Sequence, residues 1–134
     1  MVLATAAGGS IRLAEYRGRV VLLDVWASWC GPCRHSLPFY AELEQELGAR
    51  GFTVIAVSVD EEVDAVRRFL EATPLPFPVV LDPDHEVPAM LGVDTMPQCF
   101  LLDRGGNIRV RHHGFHDGDD ATLRAEVLRL LDGG

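Results

Sequence analysis

Lysine is absent from this sequence: all twelve basic side chains are arginine, and they stand against twenty aspartates and glutamates. The net charge is therefore −8. Such a balance argues against a nucleic-acid-binding protein, because phosphate groups are bound by clustered cations.

Cysteine and long apolar runs are also scarce. Three cysteines are too few for a small domain held together by disulfides. No stretch approaches the ~20 apolar residues that a membrane-spanning helix needs. The segment Met1–Ser10 lacks the basic flank and apolar run of a secretory signal peptide. We expect a soluble body, from which a leader or anchor would have been removed if the protein is exported.

The residues that are present indicate one α/β domain. The chain has 134 residues, 48% of them hydrophobic, which is enough for a substantial core and unlike a disordered protein. Apolar β-branched runs predict strands, and apolar stripes at helical spacing predict helices. The predicted strands are Val20–Trp26, Phe52–Val59, Val79–Leu81, Cys99–Leu102 and Ile108–Arg111.

The predicted helices alternate with these strands. They cover Gly31–Leu47, a segment up to Ala72 with Asp60 as its N-cap, one or two turns over Val87–Leu91, and Asp119–Leu131. This order of elements predicts a central β-sheet of mixed strand direction flanked by helices. No linker or repeat divides the chain, so we expect residues 1–134 to form a single domain.

Cys30 and Cys33 stand three residues apart where the first long strand meets the following helix. One helical turn brings both sulfurs together, so they can form a disulfide and release it again. The free N–H groups and dipole of the helix N-terminus favour the Cys30 thiolate, whereas Cys33 is placed to resolve a mixed disulfide. Gly31 and Pro32 permit the tight entry into the helix.

Two other uses of a Cys-x-x-Cys pair fit this sequence poorly. A structural zinc site needs two further ligands at suitable spacing, and the five histidines form no matching pair with a second cysteine knuckle. A haem attachment motif needs histidine directly after the second cysteine, where this chain has Arg34. We therefore expect redox chemistry that uses no metal or other cofactor.

The segment Trp29–Cys33, following an apolar strand, resembles the active site of the thioredoxin superfamily. The resemblance extends over nearly the whole chain. Asp24 stands where that family has a buried acid, and Pro38 at its helix-kinking proline. Met96-Pro97 matches its cis-proline loop and Gly114 a glycine near the site. The resemblance implies a thioredoxin-like fold.

Within the superfamily, the sequence is most similar to the TlpA/ResA-like branch. The similar segments are Ile11–Leu22, Val54–Asp60 and Phe100–Asp103, with a further helix and strand inserted between about residues 60 and 91. Members of that branch are exported or membrane-anchored reductants of protein disulfides, often in cytochrome c maturation or copper-site assembly. They usually carry a glutamate where this chain has Ser36, so Asp24 is expected to supply the carboxylate instead.

The expected cycle is thiol–disulfide exchange. The Cys30 thiolate attacks a partner disulfide, and Cys33 then attacks the Cys30 sulfur and releases the reduced partner. Asp24 is the candidate acceptor of the Cys33 proton, with a pKa raised by burial; the alternative is a strand-end carboxylate bonded to backbone. Thioredoxins place a buried lysine beside this acid, and the matching position here is Ala56.

The remaining site residues are expected to receive the partner. A cis Met96-Pro97 bond would expose the Met96 backbone for pairing with a bound chain, whereas a trans bond would make an ordinary turn. Trp29, Gly31 and Pro32 are expected to line the partner-binding surface, with Trp26 in the core.

Cysteine and histidine side chains outside the motif are given plainer roles. Cys99 is expected to be a buried, inert thiol, with a second redox role as the alternative. The cluster from His112 to His116 is expected to form a solvated loop at a strand end and not a metal site. His35 either tunes the thiols electrostatically or lies on the helix surface.

Two other functions share parts of this pattern. A peroxiredoxin-like peroxidase would need a Pro-x-x-x-Thr-x-x-Cys loop, which the residues before Cys30 do not supply. A copper-binding assembly module would use Cys30, Cys33 and a histidine. The Gly31-Pro32 pair resembles reducing members of the superfamily, so we expect a protein-disulfide reductase. Its expected partners are a disulfide-containing protein and an upstream thiol reductant, and the expected location is periplasmic. We expect a monomer.

Overall fold

A computed structural model describes residues 2–133 of the chain. The strands are β1 (Val2–Ala4), β2 (Ser10–Arg12), β3 (Val20–Trp26), β4 (Phe52–Ser58), β5 (Val79–Leu81), β6 (Gln98–Leu102) and β7 (Ile108–His113). The helices are α1 (Gly31–Leu47), α2 (Val63–Ala72), α3 (Glu86–Leu91) and α4 (Asp119–Leu131).

Five of the strands form the central sheet, in the spatial order β5-β4-β3-β6-β7. β3 pairs with β4, and β4 with β5, in parallel, whereas β6 is antiparallel to both of its neighbours. The expectation of a mixed sheet flanked by helices is confirmed.

The two central strands are buried along their whole length. This burial explains why β3 and β4 are almost continuously apolar and do not alternate, since both faces of the sheet are covered there. Asp24 is the one charged residue within these strands. Its position in the middle of the sheet is therefore energetically costly and calls for a specific explanation.

Helix α1 begins directly after Cys30 and ends at Leu47, as the sequence predicts. Pro32 lies in its first turn, where a missing N–H costs little. The turn that follows the helix needs Gly51, whose φ is +107°. Helix α1 thereby spans from the dithiol at one end of the sheet to the start of β4 at the other.

Two features near the ends of the central strands and at the N-terminus differ from what the sequence predicts. The antiparallel hairpin of β1 and β2 is not predicted, because strands of three residues carry too little pattern. Asp60 does not cap α2: the N-cap is Glu62, and the Asp60 carboxylate binds elsewhere. Within residues 2–133 no helix is long and apolar enough to span a bilayer.

Candidate active site

The dithiol lies at the carboxyl end of β3. A tight turn connects the strand to α1, with the Cys30 N–H donating to the Ala27 carbonyl at 3.1 Å. Cys30 and Cys33 are joined in a disulfide with their Cα atoms 5.4 Å apart. Cys33 is completely buried and Cys30 is 7% exposed. Cys30 is thus the sulfur that a partner can reach more easily.

Three polar residues hold the loop in front of Cys30. The Ser28 N–H and hydroxyl donate to the Asp60 carboxylate at 2.9 and 2.6 Å. The Arg34 guanidinium donates twice to the Ser28 carbonyl, at 3.0 and 2.6 Å, and its carbon lies 5.7 Å from the centre of the Phe69 ring. This set, Ser28, Asp60 and Arg34, is called the Ser28 clamp below. It joins the end of β4 and the first turn of α1 to the loop.

The sequence analysis misses the Ser28 clamp. Its only sequence signal is a buried-strand run that ends in Ser58-Val59-Asp60, and such an aspartate has a simpler local interpretation as a helix cap. Ser28, which the Asp60 carboxylate binds instead of capping the helix, is 32 residues away in the chain.

Asp24 lies on β3, two residues before the end of the strand that leads to the dithiol, and is completely buried. Neither carboxyl oxygen has a hydrogen-bond partner among residues 2–133. Ala56 stands directly opposite on β4, as expected, and Cys99 directly opposite on β6. Burial in this environment raises the pKa of Asp24 well above its usual value. No arginine reaches the carboxyl, and the alternative of a backbone-bonded carboxylate is wrong.

The loop before β6 adjoins the same end of β3. Met96-Pro97 is a cis peptide bond, as expected. Gln98 pairs with Val25, so the antiparallel register places Pro97 beside the end of β3 that leads to Cys30. The Pro97 carbonyl accepts a hydrogen bond from the Gly114 N–H at 2.6 Å. Gly114 has a φ of +75°, which favours glycine there.

The model of the family described as Redoxin matches residues 1–127. This chain belongs to the Redoxin family. Among curated relatives, it is 36% identical over 128 residues to the thiol-disulfide oxidoreductase ResA of Geobacillus thermodenitrificans (strain NG80-2). The match covers 96% of this chain and 74% of that protein.

Several solved structures are also similar to this Redoxin-family chain. One is a protein assigned as the thiol:disulfide interchange protein DsbE from Chlorobium tepidum, with a TM-score of 0.94, 38% identity, and 98% and 92% of the two chains covered. Another is the exposed lipoprotein thioredoxin Etrx1 of Streptococcus pneumoniae, with a TM-score of 0.81, 27% identity, and 100% and 98% covered. Thiol–disulfide exchange is therefore the activity of this chain, and the expected thioredoxin-like fold is confirmed.

Further polar groups of this Redoxin-family chain surround Asp24. Tyr40 and Cys99 are 1% and 2% exposed, and they lie close enough for each to influence the pKa of the other. On the same helix as Tyr40, the buried Ser36 hydroxyl donates to the Cys33 carbonyl at 3.0 Å. Burial and the nearby Asp24 raise the pKa of Cys99 to about 12, so it stays a thiol. The expectation that Cys99 is buried is confirmed, but its surroundings are polar.

The surface beside the disulfide is partly apolar. Trp29 is 68% exposed, whereas Trp26 is completely buried and packs against Phe69 with ring centres 5.0 Å apart. A groove runs next to the dithiol, and its lining residues are Gly31, Pro32, His35, Phe115, His116 and Asp117. The exposed Trp29 and this groove are therefore the accessible surface around Cys30.

The histidines separate into two groups. His35, His113 and His116 are exposed, and the described residues contain no group of three or more histidine, cysteine or carboxylate side chains placed to hold a metal. His112 is different: its side chain is only 19% exposed, and its Nε2 lies 2.8 Å from Glu126 on α4. The expectation of a loop is therefore wrong for His112 and His113, because strand β7 extends through both, and His112 lies against Glu126 of α4.

Proposed function

We propose that this chain reduces disulfides in partner proteins, with Cys30 as the attacking thiol and Cys33 as the resolving thiol. The observation that carries the proposal is the asymmetry of the pair. Cys30 keeps 7% of its surface exposed next to the free N–H groups of α1, whereas Cys33 is completely buried in the first turn of that helix.

Two exchanges complete the cycle. The Cys30 thiolate attacks one sulfur of the partner disulfide, a new S–S bond forms, and the other partner sulfur leaves as a thiolate that takes a proton from water. Cys33 then gives its proton to Asp24 and attacks the Cys30 sulfur, which releases the second partner thiolate. The dithiol loses two electrons and the partner disulfide gains them.

The docking surface follows from the same geometry. We assign Trp29, Gly31 and Pro32 to one side of the partner-binding surface and Met96 with Pro97 to the other. An extended partner segment would pair with the Met96 backbone and present its disulfide to Cys30. Such a surface suits a folded or extended protein substrate, and an upstream thiol reductant must return Cys30 and Cys33 to the dithiol state.

The cellular setting is the finer part of the proposal. Relatives include ResA and a structure assigned as DsbE, and the similar Etrx1 is described as an exposed lipoprotein. We place this chain outside the cytoplasm, in the periplasm or at the membrane surface facing it, acting as a monomer. Its expected substrates are assembly intermediates such as apocytochrome c or copper-site proteins.

The reduction potential of the Cys30–Cys33 couple tests the direction of electron flow. Equilibration with glutathione buffers should give a value below about −180 mV, as for reducing members of the superfamily. A more positive value would mark an oxidase or isomerase. In parallel, Cys33→Ser should trap a mixed disulfide with a disulfide-containing peptide, and Cys30→Ser should not. Rapid oxidation of Cys30 to sulfenic acid by hydroperoxide, or tight Cu(I) binding without reductase activity, would overturn the assignment.

A further inference from the structure

The side chain of Arg111 connects strand β7 with strand β6 and with the end of α3. Its guanidinium carbon lies 5.1 Å from the centre of the ring of Phe100, which stands directly opposite on β6. Its Nε and Nη2 atoms donate to the side-chain oxygen of Gln98 at 3.0 and 2.8 Å. Nη2 and Nη1 also donate to the carbonyls of Gly92 and Leu91, at 3.0 and 3.4 Å. One guanidinium therefore joins two strands and the C-terminus of a helix.

Gln98 carries the connection from Arg111 to the loop before Met96-Pro97. Gln98 is completely buried, and its Nε2 donates to the Thr95 hydroxyl at 3.1 Å. Arginine has donors only, so the amide oxygen of Gln98 must face Arg111 and its NH2 group must face Thr95. Arg111, Gln98 and Thr95 are called the Arg111 network below.

The Arg111 network fixes the loop of residues 92–97 at both of its ends. At the start of the loop, the guanidinium binds carbonyls that the end of α3 leaves without helical partners. Near the end of the loop, Gln98 holds Thr95, the residue directly before Met96. The loop is thereby attached to the rigid sheet by side chains and not only by its own backbone.

The Met96 backbone lies next to these anchor points and is itself unpaired. Among residues 2–133, neither its N–H nor its carbonyl makes a hydrogen bond. The Pro97 carbonyl beside it differs, since it accepts the Gly114 N–H at 2.6 Å. An unpaired stretch of main chain beside a sheet can hydrogen-bond an extended segment of another protein.

We propose that the Arg111 network positions the Met96 backbone for pairing with an extended partner segment, and thereby selects disulfides carried by a peptide chain over small disulfides. A loop that is already held in its bound geometry does not have to be ordered when the partner arrives, so less binding free energy is lost. The three side chains are positioning residues, because they act through the loop. The inference rests on the proposed reductase function and on docking at Met96.

Two disulfides that differ in size separate docking from chemistry. Reduced protein is mixed in a stopped-flow instrument with a fluorogenic disulfide peptide or with dithiobis(nitrobenzoate), a small disulfide that has no peptide backbone. The dependence of the single-turnover rate on peptide concentration gives a half-saturating concentration and a limiting rate. The ratio of the second-order rate constants for the two disulfides then measures the preference for a peptide.

Thr95→Val removes the hydroxyl at nearly constant size from an exposed residue, so the fold should tolerate it. The half-saturating peptide concentration should rise roughly tenfold, and the limiting rate should change by less than about threefold, because the loop must then be ordered on binding. The preference for the peptide should fall by the same factor as the half-saturating concentration rises. Thr95→Ser keeps the hydroxyl and should retain most of the wild-type preference.

A pair of arginine variants on the same strand provides the second comparison. Arg111→Ala should lower the preference for the peptide at least as much as Thr95→Val, because it removes both attachments of the loop. Arg109→Ala makes the same change in net charge, but Arg109 pairs with Asp103 in the turn that precedes β7, and the variant should keep the wild-type preference. An unfolded fraction would lower the amplitude of the reaction without moving the half-saturating concentration.

The outcomes assign failure to one proposal or the other. A wild-type half-saturating concentration in Thr95→Val and Arg111→Ala would overturn the positioning role of the Arg111 network. An equal loss of rate with the peptide and with the small disulfide would also overturn it, since the disturbance would then be at the dithiol. A wild-type protein that reduces only the small disulfide would instead overturn the proposed protein-disulfide reductase function, and this inference with it.

Discussion

Asp24 is costly to the fold, and the proposed cycle gives it a chemical use. Its carboxyl is buried with no cation or hydrogen-bond donor from residues 2–133 beside it, in a chain that contains no lysine. Desolvation is therefore the main influence on its pKa. It keeps the acid in its neutral form over a wider pH range than an exposed aspartate. A base with a raised pKa is better matched to a thiol proton than an ordinary carboxylate is.

Replacement of Asp24 by Asn should change the pH dependence of stability. The pKa is higher in the folded state than in the unfolded state, so protonation favours folding. As the pH rises above about 4, the unfolded wild type releases this proton first, and the free energy of unfolding falls by about 1.4 kcal/mol for each unit of the pKa difference. Asp24→Asn avoids this loss.

Urea unfolding of the oxidised proteins at pH 4 and pH 7 measures the effect. The variant should gain stability relative to wild type as the pH rises. A stability difference that is the same at both pH values would show that the carboxyl already ionises normally in the fold.

The same substitution should slow the resolving step. Asn cannot take the Cys33 proton, so decay of the mixed disulfide should fall by roughly 10²-fold at neutral pH while the Cys30 attack persists. Single-turnover kinetics with a disulfide peptide gives both phases. Equal loss in the two phases would indicate a disturbed site and contradict a role confined to Cys33.

Single residues also show what a sequence pattern can and cannot predict. Cys30, Cys33 and Asp24 were predicted because spacing, and one acid in an apolar run, are visible along the chain. Tyr40 and His112 were not, because their meaning depends on which residues share a face. That information is set by strand register and helix packing, which a single sequence does not record.

At the scale of elements, the Ser28 clamp explains how β4 and α1 together fix the loop before Cys30. From its position directly after an apolar strand, Asp60 is predicted to be a helix N-cap. The fold instead uses it to accept three hydrogen bonds, from the Ser28 N–H, the Ser28 hydroxyl and the Ser58 hydroxyl. Asp60 binds these partners instead of capping α2 because it is only 5% exposed, and a buried carboxylate without hydrogen-bond donors would be costly.

Loss of the Ser28 clamp should destabilise the protein. Asp60→Ala leaves the buried donors of Ser28 without partners, and each should cost about 1–3 kcal/mol of unfolding free energy. The Cys30–Cys33 potential should shift as well, because the loop no longer fixes Cys30 against the helix end. Asp64→Ala is the control: its 3.9 Å pairing with Arg67 is exposed and should contribute under about 0.5 kcal/mol. Equal unfolding midpoints for Asp60→Ala and Asp64→Ala would contradict a structural role for Asp60.

The molecule as a whole has chemistry at one end of β3 and arginine cross-links at the other. Arg104 donates to the carbonyls of Gly18, Arg50 and Leu131 at 2.7, 3.3 and 3.2 Å. It thereby joins the segments before β3, after α1 and at the end of α4. The central helices and strands around these junctions were predicted from the sequence because they are long and strongly apolar. The arginine contacts between loops have no pattern that would predict them.

Arg104→Ala should therefore separate stability from activity. Three carbonyls lose a charged donor, and the free energy of unfolding should fall by about 1–2 kcal/mol. The rate of disulfide exchange should not change, since the dithiol lies beyond the other end of a seven-residue strand. Arg124→Ala, which removes an exposed pair with Glu46, serves as the comparison and should have a smaller effect. A slower exchange in Arg104→Ala would show that the two ends are coupled.

Both edge strands of the central sheet are protected against pairing with strands of other chains, and this protection limits aggregation. The edge of β5 is covered by the N-terminal segment, where Ala6 donates to Val79 at 2.9 Å and Thr5 bridges to Val80. The edge strand β7 carries Arg109 and Arg111, and charged side chains of this kind discourage strand addition. If the Met96 backbone receives incoming chains as proposed, these protected edges should keep copies of the protein from joining one another through the sheet.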